Sequence, residues 1–167
     1  MPKILISACL LGHKVRYDGQ DNLQTNARLQ DWLCAGNVIS ICPEMIGGLP
    51  TPRSPAEIQF GKTAQDVLNG QAKIINVNGE DVTMGYVNGA KKTLALAQQH
   101  NIHVAILKAR SPSCGSQQVY DGNFSRTLIE GMGVTAALLT QQGIQVFDET
   151  EIDQALDAAS NSSANKC

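Results

Sequence analysis

The sequence is short of charge: only 17% of its 167 residues are Asp, Glu, Lys or Arg, where ordinary soluble domains carry about 25%. Basic and acidic residues nearly cancel, 13 against 15, for a formal net charge of −2. A polyphosphate backbone needs a basic footprint, so a large nucleic-acid surface is excluded, while a single nucleotide remains an acceptable ligand. Few charges also suit an oligomer, in the simplest case a homodimer, or a deep ligand cleft. Long apolar runs are missing too, so no segment has the length to span a bilayer. The apolar run at the N-terminus, Ile4 to Ala8, is too short for a signal-peptide core and meets Gly12, His13 and Lys14 without a cleavage site. A cytoplasmic protein with no membrane partner is the expectation. In a reducing compartment its five cysteines are thiols or metal ligands, not a disulfide framework. Neither a Cys-x-x-Cys pair nor a metal-binding histidine spacing occurs, which leaves His13, His100 and His103 structural or surface roles.

What is present is enough apolar residue, 43%, to build one substantial core. Apolar runs predict buried strands over Ile4–Ala8, Val38–Ile41, His103–Leu107 and Ile144–Phe147. Between them, helical spacing predicts helices over Asn26–Cys34, Val82–Gln99, Val134–Gln142 and Glu149–Ala159. Cys34 falls on the first of these and reads as a core thiol. Gly47 to Pro55 is too rich in Gly and Pro for regular structure, and Asn78-Gly79 between Ile- and Val-rich flanks signals a hairpin. Strands alternating with helices predict an α/β fold: one Rossmann-like domain over 1–159, its mostly parallel sheet flanked by helices, with a small β-hairpin insertion. Residues 160–167 read as a disordered polar tail that carries Cys167.

Laid over that plan, three cysteines stand out. Cys9 follows the first strand, Cys42 follows the second, and Cys114 lies in the loop after the third. Ligands of open parallel sheets bind outside the carboxyl ends of the strands, so three sequence-distant thiols arrive at one edge. Three soft ligands suit a zinc ion or an iron–sulfur cluster. Structural zinc usually takes four protein ligands in paired spacing, whereas a cubane on three cysteines leaves one iron open to substrate. The plainer reading is three small buried residues, since free Cys is often buried. Glu44, two residues past Cys42, can serve as general acid or base beside such a pocket, or is an ordinary loop glutamate. Ser111-Pro112-Ser113-Cys114-Gly115 offers hydroxyls and successive N–H groups for an anion, or is a tight turn. A zinc hydrolase or deaminase on the same thiols, and a non-catalytic domain binding a small anion or nucleotide, both remain open from spacing alone.

Longer motifs narrow the field. Ser7-Ala8-Cys9-Leu10-Leu11-Gly12 with Arg16-Tyr17-Asp18-Gly19, and Cys42-Pro43-Glu44 with Gly47-Gly48-Leu49-Pro50-Thr51-Pro52-Arg53, resemble one bacterial and archaeal family. So do Gly79-Glu80-Asp81-Val82-Thr83, Lys108-Ala109-Arg110-Ser111-Pro112-Ser113-Cys114-Gly115 and Gly133-Val134-Thr135-Ala136-Ala137-Leu138-Leu139. Together they resemble the thiouracil desulfidase (TudS) family, formerly a domain of unknown function, from about Lys3 to Ile152. The resemblance implies a catalytic [4Fe–4S] cluster on Cys9, Cys42 and Cys114. It also implies non-redox removal of sulfur, as hydrosulfide, from thiouracil or a thiolated uridine nucleotide. Within it, Glu44 is positioned to take a proton from water and Ser111 to relay or donate one. Many relatives carry a cysteine where this sequence has Val15, which fits a three-ligand site. For a nucleotide phosphate, Arg16, Arg53 and the backbone from Ser113 to Gly115 are the candidate partners. Some relatives with a fused second domain act on transfer RNA; the lack of one here favours a free base or mononucleotide.

Overall fold

In a computed structural model, which describes residues 2–164, the chain alternates between strands and helices as the apolar runs predict. In chain order the elements are β1 (Ile4–Ser7), α1 (Ala27–Cys34), β2 (Val38–Ile41), α2 (Pro43–Ile46), β3 (Ala56–Ile58), α3 (Ala64–Leu68) and β4 (Ile74–Asn76). They continue with α4 (Thr83–Gln99), β5 (Val104–Ile106), β6 (Gln118–Tyr120), β7 (Leu128–Glu130), α5 (Val134–Gln141), β8 (Gln145–Phe147) and α6 (Ile152–Ala164). Short 3-10 turns cover Ala8–Leu11 and Glu149–Glu151.

Four strands form a parallel sheet in the order β2-β1-β5-β8. All four residues of β1 are buried, as a continuous apolar run requires of a strand covered on both faces. Its side chains alternate between two cores. Ile4 and Ile6 pack with Leu29 of α1 and with Ala155 and Leu156 of α6. Leu5 packs on the other face with Ala97 of α4 and with Ala136 and Leu139 of α5. A third cluster, built on Ile58, Val67, Ile74 and Tyr86, joins β3 and β4 to α3 and α4. The connection leaving β1 runs to β2 on one side, and that leaving β5 runs to β8 on the other. A topological switch point therefore lies between the carboxyl ends of β1 and β5, where open α/β sheets bind ligands.

The expected α/β class and its four main strands are present; the small elements differ. The chain does turn at Asn78-Gly79, where Gly79 takes φ 84°. The return pairing is only a bridge between Ile75 and Asp81, because β4 gives its ladder to β3 instead. A second antiparallel pair, β6 with β7, follows the Cys114 loop. The last helix also extends past the expected boundary at residue 159, to Ala164. No Gly or Pro occurs between Ile152 and Ala164 to stop it, and Ser160 Oγ donates back to the Leu156 carbonyl at 2.9 Å. The rest of the expected tail, with Cys167, lies outside the described residues. Among the described residues no helix is long and apolar enough to cross a membrane.

Candidate active site at the sheet edge

Each of the three cysteines is placed by a backbone device at the end of a parallel strand. After β1 the chain tightens into a 3-10 turn that buries Cys9 and closes on Gly12, whose φ of 94° suits glycine. Cys42 is the N-cap residue of α2, extended at φ −110° and followed by Pro43 in the first turn. Cys114 sits in a turn organised by one side chain: Ser111 Oγ accepts the N–H groups of Ser113 at 3.0 Å and Cys114 at 3.1 Å. The Ser111 carbonyl takes the N–H of Gly115 at 2.9 Å.

All three thiols are free and line one cavity of about 620 Å³, together with Glu44, Ser111 and Tyr86. Cys9 and Cys114 are 7% and 5% exposed, and Cys42 is half-buried. Burial, followed by the nearby Cys42, pushes the Cys9 thiol up to about 12, against the pull of Lys108 and Arg16. Burial likewise raises Cys42, with backbone N–H groups of α2 opposing it. Cys114 is raised by burial, by Glu44 and by the other two thiols. Its one hydrogen-bond donor is Ser7 Oγ, 3.6 Å from the sulfur. Thiols that feel one another in this way surround a common space. Among the described residues, however, no three His, Cys, Asp or Glu side chains gather as a single metal ion would require.

Glu44 is brought to the cavity by the contact of α2 with α4. Gly47 and Gly89 let the two helices touch backbone to backbone: a Cβ on Gly47 would lie 1.9 Å from the Gly85 carbonyl oxygen, and one on Gly89 2.0 Å from that of Pro43. There the Glu44 carboxylate meets a buried partner from each side. Arg53 pairs with it through Nη2. The Tyr86 hydroxyl hydrogen-bonds both groups, and burial followed by the Glu44 charge pushes that hydroxyl well above the usual phenol range. Arg53 also donates to the Pro50 carbonyl, to Thr51 Oγ1 and to the Val15 carbonyl, each at 3.1 Å. Its guanidinium is committed to Glu44 and to folding the Gly- and Pro-rich loop, which replaces the expected role at a phosphate. Val15 enters the site through its backbone, since its carbonyl also faces Cys42 Sγ at 3.8 Å.

The anion-binding role expected for Ser113 and Gly115 is also corrected. Neither lines the cavity. The N–H groups of Ser113, Cys114 and Gly115 are all consumed by Ser111, and Ser113 Oγ bonds Thr135 Oγ1 of α5 at 2.8 Å. The turn is a structural base for Cys114, with no donor left over. Arg16 does line the cavity, weakly tied to Asp18 at 3.7 Å. Cys34 is exposed; five residues beyond the buried Leu29, it is rotated about 140° from the helix face that packs. None of the three histidines reaches the cavity.

Several further residues line the cavity with little or no signal in the sequence. Lys108 is paired with Glu149 at 3.0 Å, and Glu149 also accepts the N–H of Ala109 at 2.7 Å. Arg110 stands directly before Ser111, so its position alone signals it. Tyr86, Glu57, Phe124 and Arg126 carry no local signal: α4, β3 and the β6–β7 turn bring them in through tertiary packing.

Comparison with known proteins places this geometry. A model of the 2-thiouracil desulfurase family matches residues 4–151. An uncharacterized protein of Bacillus subtilis (strain 168), YbbK, is 48% identical over 153 residues, which is 92% of this chain and 99% of that protein. Among solved structures, a [4Fe–4S]-dependent thiouracil desulfidase, TudS, superposes with a TM-score of 0.87 at 41% identity, covering 96% of this chain and 99% of its own.

Proposed function

The chain belongs to the 2-thiouracil desulfurase family, and we propose that it removes sulfur from a thiolated pyrimidine with a [4Fe–4S] cluster held by Cys9, Cys42 and Cys114. One observation carries this reading: three free thiols from three separate strand ends line a single cavity beside Glu44 and Ser111. The donor set fits the group. Thiolates are the ligands iron–sulfur clusters take, and these three are kept from water and from disulfide pairing. Their spacing favours a cluster over zinc. A single zinc ion with bonds of ~2.3 Å draws its sulfurs to within about 4 Å of one another, whereas a cluster takes each cysteine on a different iron, further apart. No such tight group occurs among the described residues. When bound, the cluster supplies a soft Lewis acid for the thiocarbonyl sulfur.

The chain's own residues handle water and protons. The substrate carbon loses its bond to sulfur and gains one to a water oxygen, giving carbonyl and hydrogen sulfide with no net electron transfer. Glu44 is the group placed to take the proton of that water, held in orientation by Arg53 and Tyr86. Ser111 Oγ already accepts two backbone N–H groups. A hydroxyl has one donor and two acceptor sites, so its O–H is left to donate into the cavity toward the departing sulfur or the forming oxygen. The substrate is thiouracil or a thiolated uridine nucleotide, both of which the cavity volume admits.

Anaerobic reconstitution tests the reading. Expected are stoichiometric iron and inorganic sulfide, brown colour, and conversion of thiouracil or thio-UMP to the oxo product. Each of Cys9→Ala, Cys42→Ala and Cys114→Ala should bleach the protein. Full activity in an iron-free, colourless preparation, or zinc without sulfide, would overturn it.

A further inference from the structure

The β6–β7 hairpin ends in a tip, residues 121–127, for which the chemistry of sulfur removal has no use. Two of its residues nevertheless line the cavity: Phe124, 36% exposed, and Arg126. Both hold left-handed backbone, φ 55° and 61°, a conformation that non-glycine residues keep only when their surroundings enforce it. The enforcing contacts come from β3. Glu57, 8% exposed, accepts through Oε1 the N–H groups of Gly122 at 2.9 Å and Phe124 at 3.3 Å. Gly122 lies so close to β3 that a Cβ there would be 2.5 Å from the Phe60 nitrogen and 2.6 Å from the Ile58 carbonyl oxygen. Inside the tip, the Asp121 N–H reaches the Thr127 carbonyl at 3.0 Å, and Asp121 Oδ1 takes the Asn123 N–H at 2.9 Å.

A nearly buried carboxylate is costly unless its hydrogen bonds accomplish something, and Glu57 has no cation partner among the described residues. What its bonds accomplish is to fix the tip against the cavity. The cations there are distinctive. Arg53 and Lys108 are neutralised by Glu44 and Glu149, but Arg126 and Arg110 make no side-chain ion pair or hydrogen bond among the described residues. Arg110 is held in left-handed backbone as well, φ 71°, and is bridged to Val119 of β6. Two unpaired guanidinium groups and a phenyl ring on one wall match a substrate with an anionic end and a flat apolar ring, which free thiouracil only half satisfies.

We infer that the β6–β7 tip selects a thiolated uridine nucleotide over the free base. Arg126 and Arg110 hold its phosphate, Phe124 packs on its ring or ribose, and Glu57 is the positioning residue that fixes the tip. The nature of the substrate rests on the desulfidase reading; the anion site rests on geometry alone.

The test uses the anaerobically reconstituted holoenzyme, with kcat and KM for thio-UMP and thiouracil and the affinity for UMP and uracil by titration calorimetry. Loss of one charge-assisted contact should raise the KM for thio-UMP and weaken UMP by about tenfold or more in Arg126→Ala, and the preference for thio-UMP over thiouracil should fall with them. Glu57→Ala should do the same, and Glu57→Gln should restore most of the loss, since an amide oxygen accepts the same two N–H groups. A purely structural role for Glu57 predicts losses shared equally by both substrates. The inference is overturned if wild type binds UMP no better than uracil, if Arg126→Ala leaves the preference within about threefold, or if Glu57→Gln fails as badly as Glu57→Ala. The exposed Arg126 keeps the test decisive even if Glu57→Ala does not fold. If neither thio compound is converted yet UMP affinity still drops in Arg126→Ala, the anion site stands and the desulfidase reading falls. If thio-UMP is converted while UMP affinity is indifferent to Arg126, the desulfidase reading stands and the anion site falls.

Discussion

Replacing Gly89 by Ala tests whether a backbone contact, made far from any reacting atom, sets the site. A Cβ at this position would lie 2.0 Å from the Pro43 carbonyl oxygen and 2.8 Å from its carbon. Real contacts of this kind do not fall below 3.0 Å, so α2 must retreat by at least 1.0 Å, the difference between 3.0 and 2.0. Pro43 stands between Cys42 and Glu44, and both would move with it. Overpacking costs about 1–3 kcal/mol, against which Ala regains ~1 kcal/mol of helix propensity over Gly. The net loss is then up to ~2 kcal/mol, or roughly 4–8 °C in Tm for a chain of this size. The effect on turnover should be larger. A misplacement of ~1 Å in a catalytic group can cost about 100-fold, and here a proposed cluster ligand and a proposed base shift together. Gly85→Ala is the control. Its Cβ would meet only the Leu49 side chain, at 2.7 and 2.8 Å, and a leucine side chain can turn away. Scanning calorimetry and thiouracil turnover decide the matter. If Gly89→Ala keeps turnover within about threefold and does not lower Tm, or if Gly85→Ala matches it, the helix contact does not position Cys42 and Glu44.

The other expectations concern charge. Arg53→Ala leaves the Glu44 carboxylate without its partner in a pair whose side chains are 6% and 14% exposed, so denaturant unfolding should show a loss of about 3–5 kcal/mol. Arg28→Ala, which breaks the exposed pair with Asp157, should barely register, and equal losses in the two variants would refute the assignment of Arg53. The cluster-free, reduced protein should also lose stability in alkali. Burial raises Cys9 from 9.0 to about 12 and raises Cys42, Cys114 and Tyr86 in the same direction. Below pH 9 both folded and unfolded chains keep these protons; from pH 9 to about 12 the unfolded chain releases them first, so stability falls as pH rises. A urea midpoint that stays level or climbs between about pH 8 and about pH 10 would contradict this.

The parallel core was readable because each of its strands is an apolar run bounded by turn residues. The bounds of α1, α4 and α5 were readable from Asn26, Val82 and Gly143, which stand beside them. The wall facing the sheet was not. Three-residue strands such as Gln118–Tyr120 are too short for a period of two to register. The cysteines could be placed because each follows a strand directly, so topology alone carried them to the sheet edge. Partners of the acid could not, because Tyr86 lies on a helix face indistinguishable in sequence from an ordinary core face. Arg53 shows a second limit. A guanidinium in a glycine-rich loop reads equally as phosphate ligand or as loop brace, and only the four acceptors around it decide.

The two halves of the cavity are built differently, and that difference bears on how the family's chemistry can be kept while its substrates vary. The thiols, Glu44 and Ser111 hang from the ends of parallel strands buried on both faces, and a shift in any of them disturbs two cores at once. Phe124 and Arg126 stand on a hairpin joined to the rest through Glu57, the Gly122 contact and the Arg110 bridge. Replacing exposed residues at such a tip leaves the sheet undisturbed, in keeping with the greater tolerance of loops to change. A rigid floor for bond breaking and a replaceable wall for recognition follow from this topology, so residues of the wall should alter which thiolated compound is accepted well before they alter whether sulfur is removed.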